Sequence, residues 1–204
     1  MESETFEEVK LEQITLSSDD IIIKIITNVI KMINNRGLID NMDTTLDRLL
    51  NEDRTRLEYE ITDNINLKII RSKLSSLSKS NDIRNFLNNN SRKKNILVFM
   101  KIDNVTSKDK LLREYLECEI FEESDFLMDK ASHWFVPHHE IFNGNKDELY
   151  DEYNLTDETI PKILLTDPMV RYYNAKEGQI MRIIRNSDES GLSITYRLVI
   201  KPSK

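Results

Sequence analysis

The 204-residue sequence predicts two small mixed domains: an α/β amino-terminal unit, a small sheet flanked by helices, and a small α+β module that ends in a β-hairpin. Three observations predict this class. An amphipathic helical run lies near the start, a buried strand-like run lies at mid-chain, and two strand-like runs separated by turn residues close the chain. With 39% hydrophobic and 32% charged residues, the chain can form two modest cores.

The amino-terminal unit is predicted to begin with an amphipathic helix. Ser18, Asp19 and Asp20 can cap its start, and Gly37 supplies a left-handed stop. Polar residues take one side of the run, and the other side carries six apolar residues at helical spacing: Ile22, Ile25, Ile26, Val29, Ile30 and Ile33.

The next hundred residues alternate between helical and extended patterns. The sequence predicts a second helix at 44–50, extended chain at 57–70, a helix near 82–87 and a buried strand at 95–102. The stretch 88–94 reads as a polar connector. Strands flanked by helices make this first unit α/β.

The second module starts with turn and cap signals. Asn143 and Gly144 predict a turn, and 147–153 is a short helical run. Thr156 is predicted to cap a helix that contains Pro161 in its first turns, where a missing N–H is tolerated.

A second capping signal follows. Asp167 and Pro168 combine an N-cap with a first-turn proline, which predicts a short helix through Tyr173 that Asn174 can end. The runs 179–185 and 193–200 are strand-like, and turn residues at 186–191 join them. The last element is therefore predicted to be a hairpin.

Cysteine content and hydropathy indicate a soluble intracellular protein. The single cysteine, Cys118, excludes an internal disulfide framework and suits a reducing compartment. No secretory signal is recognisable. The most apolar run, 21–33, is interrupted by Lys24, Asn28 and Lys31, so we expect no membrane span.

Charge is segregated along the chain behind a formal net charge of −7. Residues 1–20 carry one Lys and seven acids, net −6, and residues 114–130 carry the same numbers. Between them, residues 68–113 carry twelve Lys or Arg and three Asp, net +9. This basic block indicates either a surface that faces nucleic acid or a set of side chains that pair with the acids of 114–130.

The search for catalytic chemistry favours contact over catalysis. His133, His138, His139 and Glu140 cluster in sequence, but the spacing of a helical zinc motif is absent. Adjacent acidic pairs do not face one pocket on a helix, and four isolated glycines cannot form a phosphate loop. We therefore expect no metal site, no cofactor and no small-molecule substrate.

The second module resembles a known family. The segments "HWFVPHHEIF" (133–142) and 149–200 are similar to the carboxy-terminal assembly domain of the fifth subunit of nuclear RNA polymerases, which has a counterpart in the archaeal enzyme. The matched positions are His133, Phe135, Val136, Pro137, His139, Pro161, Ile163, Asp167, Pro168, Tyr172, Ile183, Ile184, Arg185, Ser187, Tyr196 and Arg197. Trp134 and Phe135 are bulkier than the usual pair in the family, and Asn174 and Leu192 stand where glycine and a basic residue are common.

The resemblance implies a jaw domain at 1–132 and an assembly domain at 133–204. It also implies a non-catalytic polymerase subunit whose assembly domain docks on the largest subunit, beside other subunits, while the jaw lies near downstream duplex DNA. Arg185 and Arg197 can bond a partner or serve only cross-strand pairs of the hairpin. The residues expected at the partner interface are Pro137, His139, Asp167, Pro168, Tyr172, Arg185, Tyr196 and Arg197.

The residues expected to face DNA come from the basic block. They lie in the polar connector and in a loop expected after the 95–102 strand, where the family's proline-containing loop would fall on Thr106 to Lys108. They are Arg92, Lys93 and Lys94 in the connector and Lys108 and Lys110 in the loop.

Two other functions stay open at this stage. Jaw domains of the family resemble restriction-endonuclease-like folds, but the acid that such a nuclease needs two residues before Lys101 is Phe99. A free-standing transcription adaptor is the other alternative. We expect a nuclear protein if the source is a cell, and a virion or cytoplasmic replication site if it is a large DNA virus.

Overall fold

The computed structural model describes residues 16–53, 55–75, 81–187 and 191–202. We call the described residues up to 132 the first unit and those from 133 the second unit. A 3-10 helix follows β4 at Glu123–Asp125. The helices and strands, in chain order, are α1 (Ser18–Asn35), α2 (Met42–Leu50), β1 (Glu58–Thr62), β2 (Ile65–Leu74), α3 (Asn81–Asn89), β3 (Lys94–Ile102), α4 (Val105–Glu114), β4 (Cys118–Glu122), β5 (His138–Ile141), α5 (Lys146–Tyr153), β6 (Lys162–Leu164), α6 (Pro168–Tyr173), β7 (Ile180–Ser187) and β8 (Gly191–Ile200).

The strands form two four-stranded sheets. In the first sheet the order is β1-β2-β3-β4, with β1 antiparallel to β2 and the other neighbours parallel. Helices α3 and α4 make the crossovers that parallel strands require. In the second sheet the order is β5-β7-β8-β6, and only the β6 and β8 pair is parallel. This mixed architecture is compatible with the predicted pair of α/β and α+β units.

Helix α1 forms where its amphipathic pattern predicts. Ser17 is the N-cap, and Asp20 completes a capping box with it. The helix ends before Gly37, whose φ of 69° lies in the left-handed region. The apolar face of α1 is fully buried against one side of the first sheet, while α3 and α4 cover the other side. Among the described residues no helix combines the length and apolarity that crossing a bilayer requires.

The core of the first unit extends into the second. Met169 and Tyr172 of α6 are buried in the same cluster as α1. Arg36, just after α1, donates to the Tyr172 carbonyl oxygen at 2.6 Å and to the Arg171 carbonyl oxygen at 3.0 Å. Its guanidinium also binds both carboxylate oxygens of Glu119 at 2.7 and 2.8 Å. One largely buried arginine therefore joins α1, β4 and α6.

The helix predicted after Thr156 is absent, and this prediction was wrong. The chain makes a single turn, closed by a 3.0 Å bond from the Ile160 N–H to the Thr156 carbonyl, and then enters β6. The Thr156 hydroxyl accepts from the backbone N–H groups of Glu158 and Thr159, so the capping signal was real. The helix does not continue because the chain pairs with β8 instead. The first bond of this pairing runs from the Leu198 N–H to the Pro161 carbonyl at 2.9 Å.

The prediction of a loop after β3 was also wrong, because helix α4 follows this strand. Asn104 is the N-cap, and its side chain accepts from the Ser107 N–H at 3.0 Å. Leu111 packs this helix into the core on the side of the first sheet opposite α1. Lys108 and Lys110 therefore lie on a helix.

Candidate protein interaction surface

The hairpin of β7 and β8 extends beyond the strands that flank it. β7 and β8 pair over eight registered positions, from Ile180 with Leu198 to Ser187 with Gly191. β5 pairs with β7 only as far as Ile184, and β6 pairs with β8 only at 198–200. The distal half of the hairpin is therefore a ribbon with little cover from the described residues.

One face of this ribbon carries a row of apolar side chains, which we call the hairpin patch: Ile184, Leu192, Ile194 and Tyr196. Cross-strand pairing and the two-residue period of a strand place them on the same face. Leu192 is 62% exposed and Ile194 is 43% exposed. Tyr196 contacts the rings of Phe142 and Tyr153 at centroid distances of 5.4 and 5.7 Å.

Sequence reasoning missed three of the four residues in the hairpin patch and found only Tyr196. A signal was available, because Leu192, Ile194 and Tyr196 alternate with polar residues. That pattern reads equally well as the buried face of a sheet. Only the short reach of β6 shows that no described residues cover the distal part of the hairpin.

The opposite face of the ribbon carries the two predicted arginines. Arg185 is exposed, and within the described part of the chain it makes no ion pair. Arg197 is half-buried, and its Nε atom is buried without an acceptor. By contrast, Arg182 on the patch side is paired with Glu140 at 2.6 Å. The cross-strand partners of Arg185 and Arg197 are Ser193 and Met181, which offer no carboxylate.

Pro137 and His139 lie at the start of β5 beside the ribbon. His139 is buried, and its Nδ1 lies 2.6 Å from the Pro137 carbonyl oxygen. Since a carbonyl can only accept, Nδ1 carries the proton. Burial lowers the pKa of His139, and the bond to Pro137 opposes this only in part.

Asp167, Pro168 and Tyr172 are placed by α6. The Asp167 carboxylate caps the helix by accepting from the Met169 N–H at 2.8 Å, and Pro168 occupies the first turn. Tyr172 is buried against the first unit, and its hydroxyl accepts from the Asn35 amide at 2.9 Å. Burial raises the pKa of the Tyr172 hydroxyl. Of these three residues, only Pro168 is exposed.

A short aromatic segment precedes β5. Trp134 is 83% exposed and Phe135 is 74% exposed, and their rings lie 4.5 Å apart. The His133 ring stacks on Phe135 at 5.7 Å. In the described part of the chain, no three potential metal-ligating side chains converge at these histidines or elsewhere. Exposed aromatic rings of this size are typical of protein contact surfaces.

The predicted DNA-facing residues fall into two groups. Arg92, Lys93 and Lys94 lie at the amino end of β3, whereas Lys108 and Lys110 lie on α4, which begins beyond its carboxyl end. Lys93 is paired with Glu60 at 2.8 Å. Arg92, Lys94 and Lys110 are exposed. The structure therefore does not bring all five into one cluster.

Part of the basic block pairs with acids of the 114–130 segment. Arg71 binds Glu123 at 3.2 Å, and Arg84 binds Glu114 at 2.9 Å. The intramolecular alternative therefore holds for these two arginines. Lys93, in contrast, uses an acid outside that segment.

Lys108 points into a cleft of about 700 Å³ between α4, β4 and α6. Burial lowers its pKa, and the nearby Arg171 guanidinium adds to the effect. Leu112, Ile120 and Val170 contribute apolar walls. Lys108 is thus less accessible to a long phosphate backbone than Lys110.

Comparison with known proteins found one family model and several relatives that match this chain. The family model described as RNA polymerase Rpb5, C-terminal domain, matches residues 128–199. DNA-directed RNA polymerase subunit 5 of Acanthamoeba polyphaga mimivirus is 33% identical over 204 residues, covering 92% of this chain and 96% of the relative.

Two cellular relatives match a shorter part of this chain. DNA-directed RNA polymerase subunit Rpo5 of Methanocaldococcus jannaschii is 43% identical over 75 residues, 36% of this chain and 96% of the relative. The RPABC1 subunit of RNA polymerases I, II and III of Caenorhabditis elegans is 39% identical over 83 residues, 40% of this chain and 39% of the relative. The viral relative covers nearly all of both chains, and the chain therefore belongs to the subunit 5 family of DNA-directed RNA polymerases.

Proposed function

We propose that this protein is a non-catalytic subunit of a multisubunit DNA-directed RNA polymerase, and that its second unit docks on the largest subunit. The hairpin patch carries the proposal. It exposes Leu192 and Ile194 next to one another on a ribbon that the described part of the chain leaves uncovered. Large apolar side chains that are contiguous and exposed mark protein contact sites.

The charged and aromatic surroundings of the patch support the same assignment. The exposed Arg185 and the half-buried Arg197 both carry guanidinium N–H donors that a partner can use. Trp134 and Phe135 lie just before β5, which flanks the hairpin. Arginine and large aromatic residues are enriched among the residues that dominate binding energy at interfaces. The names of the relatives, all polymerase subunits, agree with an assembly role.

Affinity purification of the tagged full chain from cells that make its polymerase tests the docking proposal. The largest subunit should co-purify in equal molar amount and should survive a salt wash that removes loosely bound proteins. Apolar contacts are screened little by salt, which is why the wash is informative. Purification without the largest subunit would contradict docking.

We also propose that the first unit lies near downstream DNA and that three exposed cations of the basic block, Arg92, Lys94 and Lys110, touch its phosphates. Arg92 and Lys94 lie together at one end of β3, and Lys110 lies on the exposed side of α4. Phosphate contacts position a protein on DNA without reading sequence, so we expect no base preference. The acid-paired Lys93 and the cleft residue Lys108 contribute less.

Replacing Arg92 and Lys94 together by glutamate tests the DNA proposal in the assembled polymerase. The enzyme should assemble normally, and the salt slope of binding to downstream duplex should fall by about two, roughly one for each lost phosphate contact. Fluorescence anisotropy over a series of salt concentrations measures the slope. Lys93 is left unchanged because glutamate there would face Glu60.

The matched control for this experiment is Lys101→Glu, at the other end of β3. Lys101 is exposed and lies close to Asp103, so the control introduces the same type of charge reversal in the same unit. It should leave the slope nearly unchanged. An unchanged slope in the Arg92 and Lys94 variant, or failure of that variant to assemble, would show that these cations do not contact DNA.

The non-catalytic part of the proposal rests on Phe99. A restriction-endonuclease-like site would need a carboxylate there, two residues before Lys101. The Phe99 ring is instead 1% exposed and packs with Leu97 and Leu74 in the apolar core. Such a subunit works wherever its polymerase works, in the nucleus of a cell or at a viral replication site.

A further inference from the structure

Along part of one edge of β8, the backbone N–H and C=O groups have no strand partner among the described residues. The Val199 N–H donates to the Gln179 carbonyl at 2.8 Å, which shows that odd-numbered residues of β8 face β7. The Leu198 N–H donates to the Pro161 carbonyl, which shows that even-numbered residues face the opposite edge. Leu192, Ile194 and Tyr196 therefore direct their N–H and C=O groups to the edge away from β7.

The pairing of β6 with this edge of β8 stops at Pro161. In the parallel ladder of β6 and β8, the N–H that would reach the Tyr196 carbonyl belongs to residue 161, and proline has none. β6 pairs only with 198–200, and on the edge away from β7 no described strand pairs with 192–196. Three successive outward-facing residues therefore present three donors and three acceptors in a row.

This edge lacks the features that normally discourage strand pairing. Residues 192–196 contain no proline and no lysine, and the register of β7 with β8 has no bulge there. The side chains of Leu192 and Ile194 beside it are apolar and exposed. An exposed apolar edge of this kind is a template for another strand.

The two faces of the ribbon define the side chains that an added strand would carry. On one face, Leu192, Ile194 and Tyr196 favour apolar side chains. On the other, Arg185 and Arg197 lack carboxylate partners among the described residues, so they favour acidic ones. Successive side chains of a strand alternate between the two faces. An added strand that suits both faces would therefore alternate apolar and acidic residues.

We propose that an extended segment of the largest polymerase subunit, alternating apolar and acidic side chains, adds as a strand to the edge of β8 at 192–196. This inference rests on the proposed docking function and specifies its geometry. Backbone hydrogen bonds supply affinity along the edge, and the hairpin patch and the two arginines select the sequence. The complementary charge separates this partner from a second copy of the chain, whose own edge would bring arginines together.

Hydrogen–deuterium exchange of the free full chain and of the purified polymerase tests strand addition, with mass spectrometric fragmentation that resolves single amides. In the free chain, the amides of Leu192, Ile194 and Tyr196 should exchange fast, and those of Ser193 and Thr195 should be slow because they bond β7. In the polymerase all five should be slow, with at least a tenfold gain at the three even positions.

The outcomes separate this inference from docking itself. If the chain is present in the polymerase but the even-numbered amides keep exchanging fast, docking stands and strand addition is wrong. If they become slow in the free chain at high concentration, with the mass of a dimer, the occupant is a second copy and the proposal is overturned. A chain that never enters the polymerase refutes the proposed function instead.

The charge preference is tested by Arg185→Glu in the full chain. Arg185 is exposed and unpaired among the described residues, so the fold should persist. Recovery with the largest subunit should fall at least tenfold, and Arg185→Lys should restore most of it. Lys101→Glu, on β3 of the first unit, should have no effect. Equal recovery of Arg185→Glu and the unaltered chain would exclude an acidic partner segment at this face.

Discussion

Replacing Leu192 and Ile194 together by aspartate should abolish incorporation of the chain into its polymerase while leaving the chain folded. Both side chains are largely exposed in the free protein, so their replacement creates no cavity. In the complex, the same positions would hold unpaired carboxylates in an apolar contact. Two interface residues of this kind, at about 2 kcal/mol each, correspond to roughly a thousandfold loss of affinity.

The measurement is recovery of the largest subunit with the tagged variant, alongside circular dichroism of the purified chain. The matched control is Val105→Asp with Leu116→Asp. These residues of the first unit are also apolar and exposed, at 64% and 87%, but they lie outside the hairpin. The control should assemble normally. Normal assembly of the hairpin variant would show that the patch does not contact the largest subunit.

Replacing Arg36 by alanine should give the largest loss of stability among single changes of charged residues considered for this chain. The Arg36 side chain is 5% exposed and bonds the Glu119 carboxylate and two carbonyl groups of α6. Its removal leaves a half-buried carboxylate without its cation and two carbonyls without donors. Breaking such a pair costs about 3 kcal/mol of unfolding free energy, which lowers Tm by roughly 10 °C in a chain of this size.

Urea denaturation of the unaltered chain and of the Arg36→Ala variant measures the difference in unfolding free energy. Lys201→Ala is the control, because the pair of Lys201 with Glu177 is exposed, at 67% and 50% of the two side chains. Its loss should change stability by less than about 1 kcal/mol. If the Arg36 variant is as stable as this control, the stability of the chain does not depend on the contacts that Arg36 makes between α1, β4 and α6.

Local signals predicted the elements that depend on neighbouring residues. The face of α1, the Asp167 and Pro168 start of α6 and the closing hairpin follow from spacing, capping and turn chemistry within a few residues. Thr156 shows the limit of such signals. Its capping bonds form as expected, but the strand that follows is set by the distant β8.

The junction and the interaction surface depend on contacts far apart in sequence. Nothing in the local sequence pairs Arg36 with Glu119 or buries Tyr172 against α1. The resemblance directed attention to the second unit, but matched positions such as His139 and Tyr172 are buried in the chain itself. The exposed residues Leu192 and Ile194 become visible only when β6 is seen to stop short.

Native mass spectrometry of the tagged full chain, purified from cells in which its polymerase is made, tests the central claim most directly. We predict one copy of the chain in a multisubunit particle that contains the largest polymerase subunit. On partial dissociation, the chain should leave together with the largest subunit. Recovery as a monomer, or in a small complex without that subunit, would contradict the polymerase assignment and favour a free-standing adaptor.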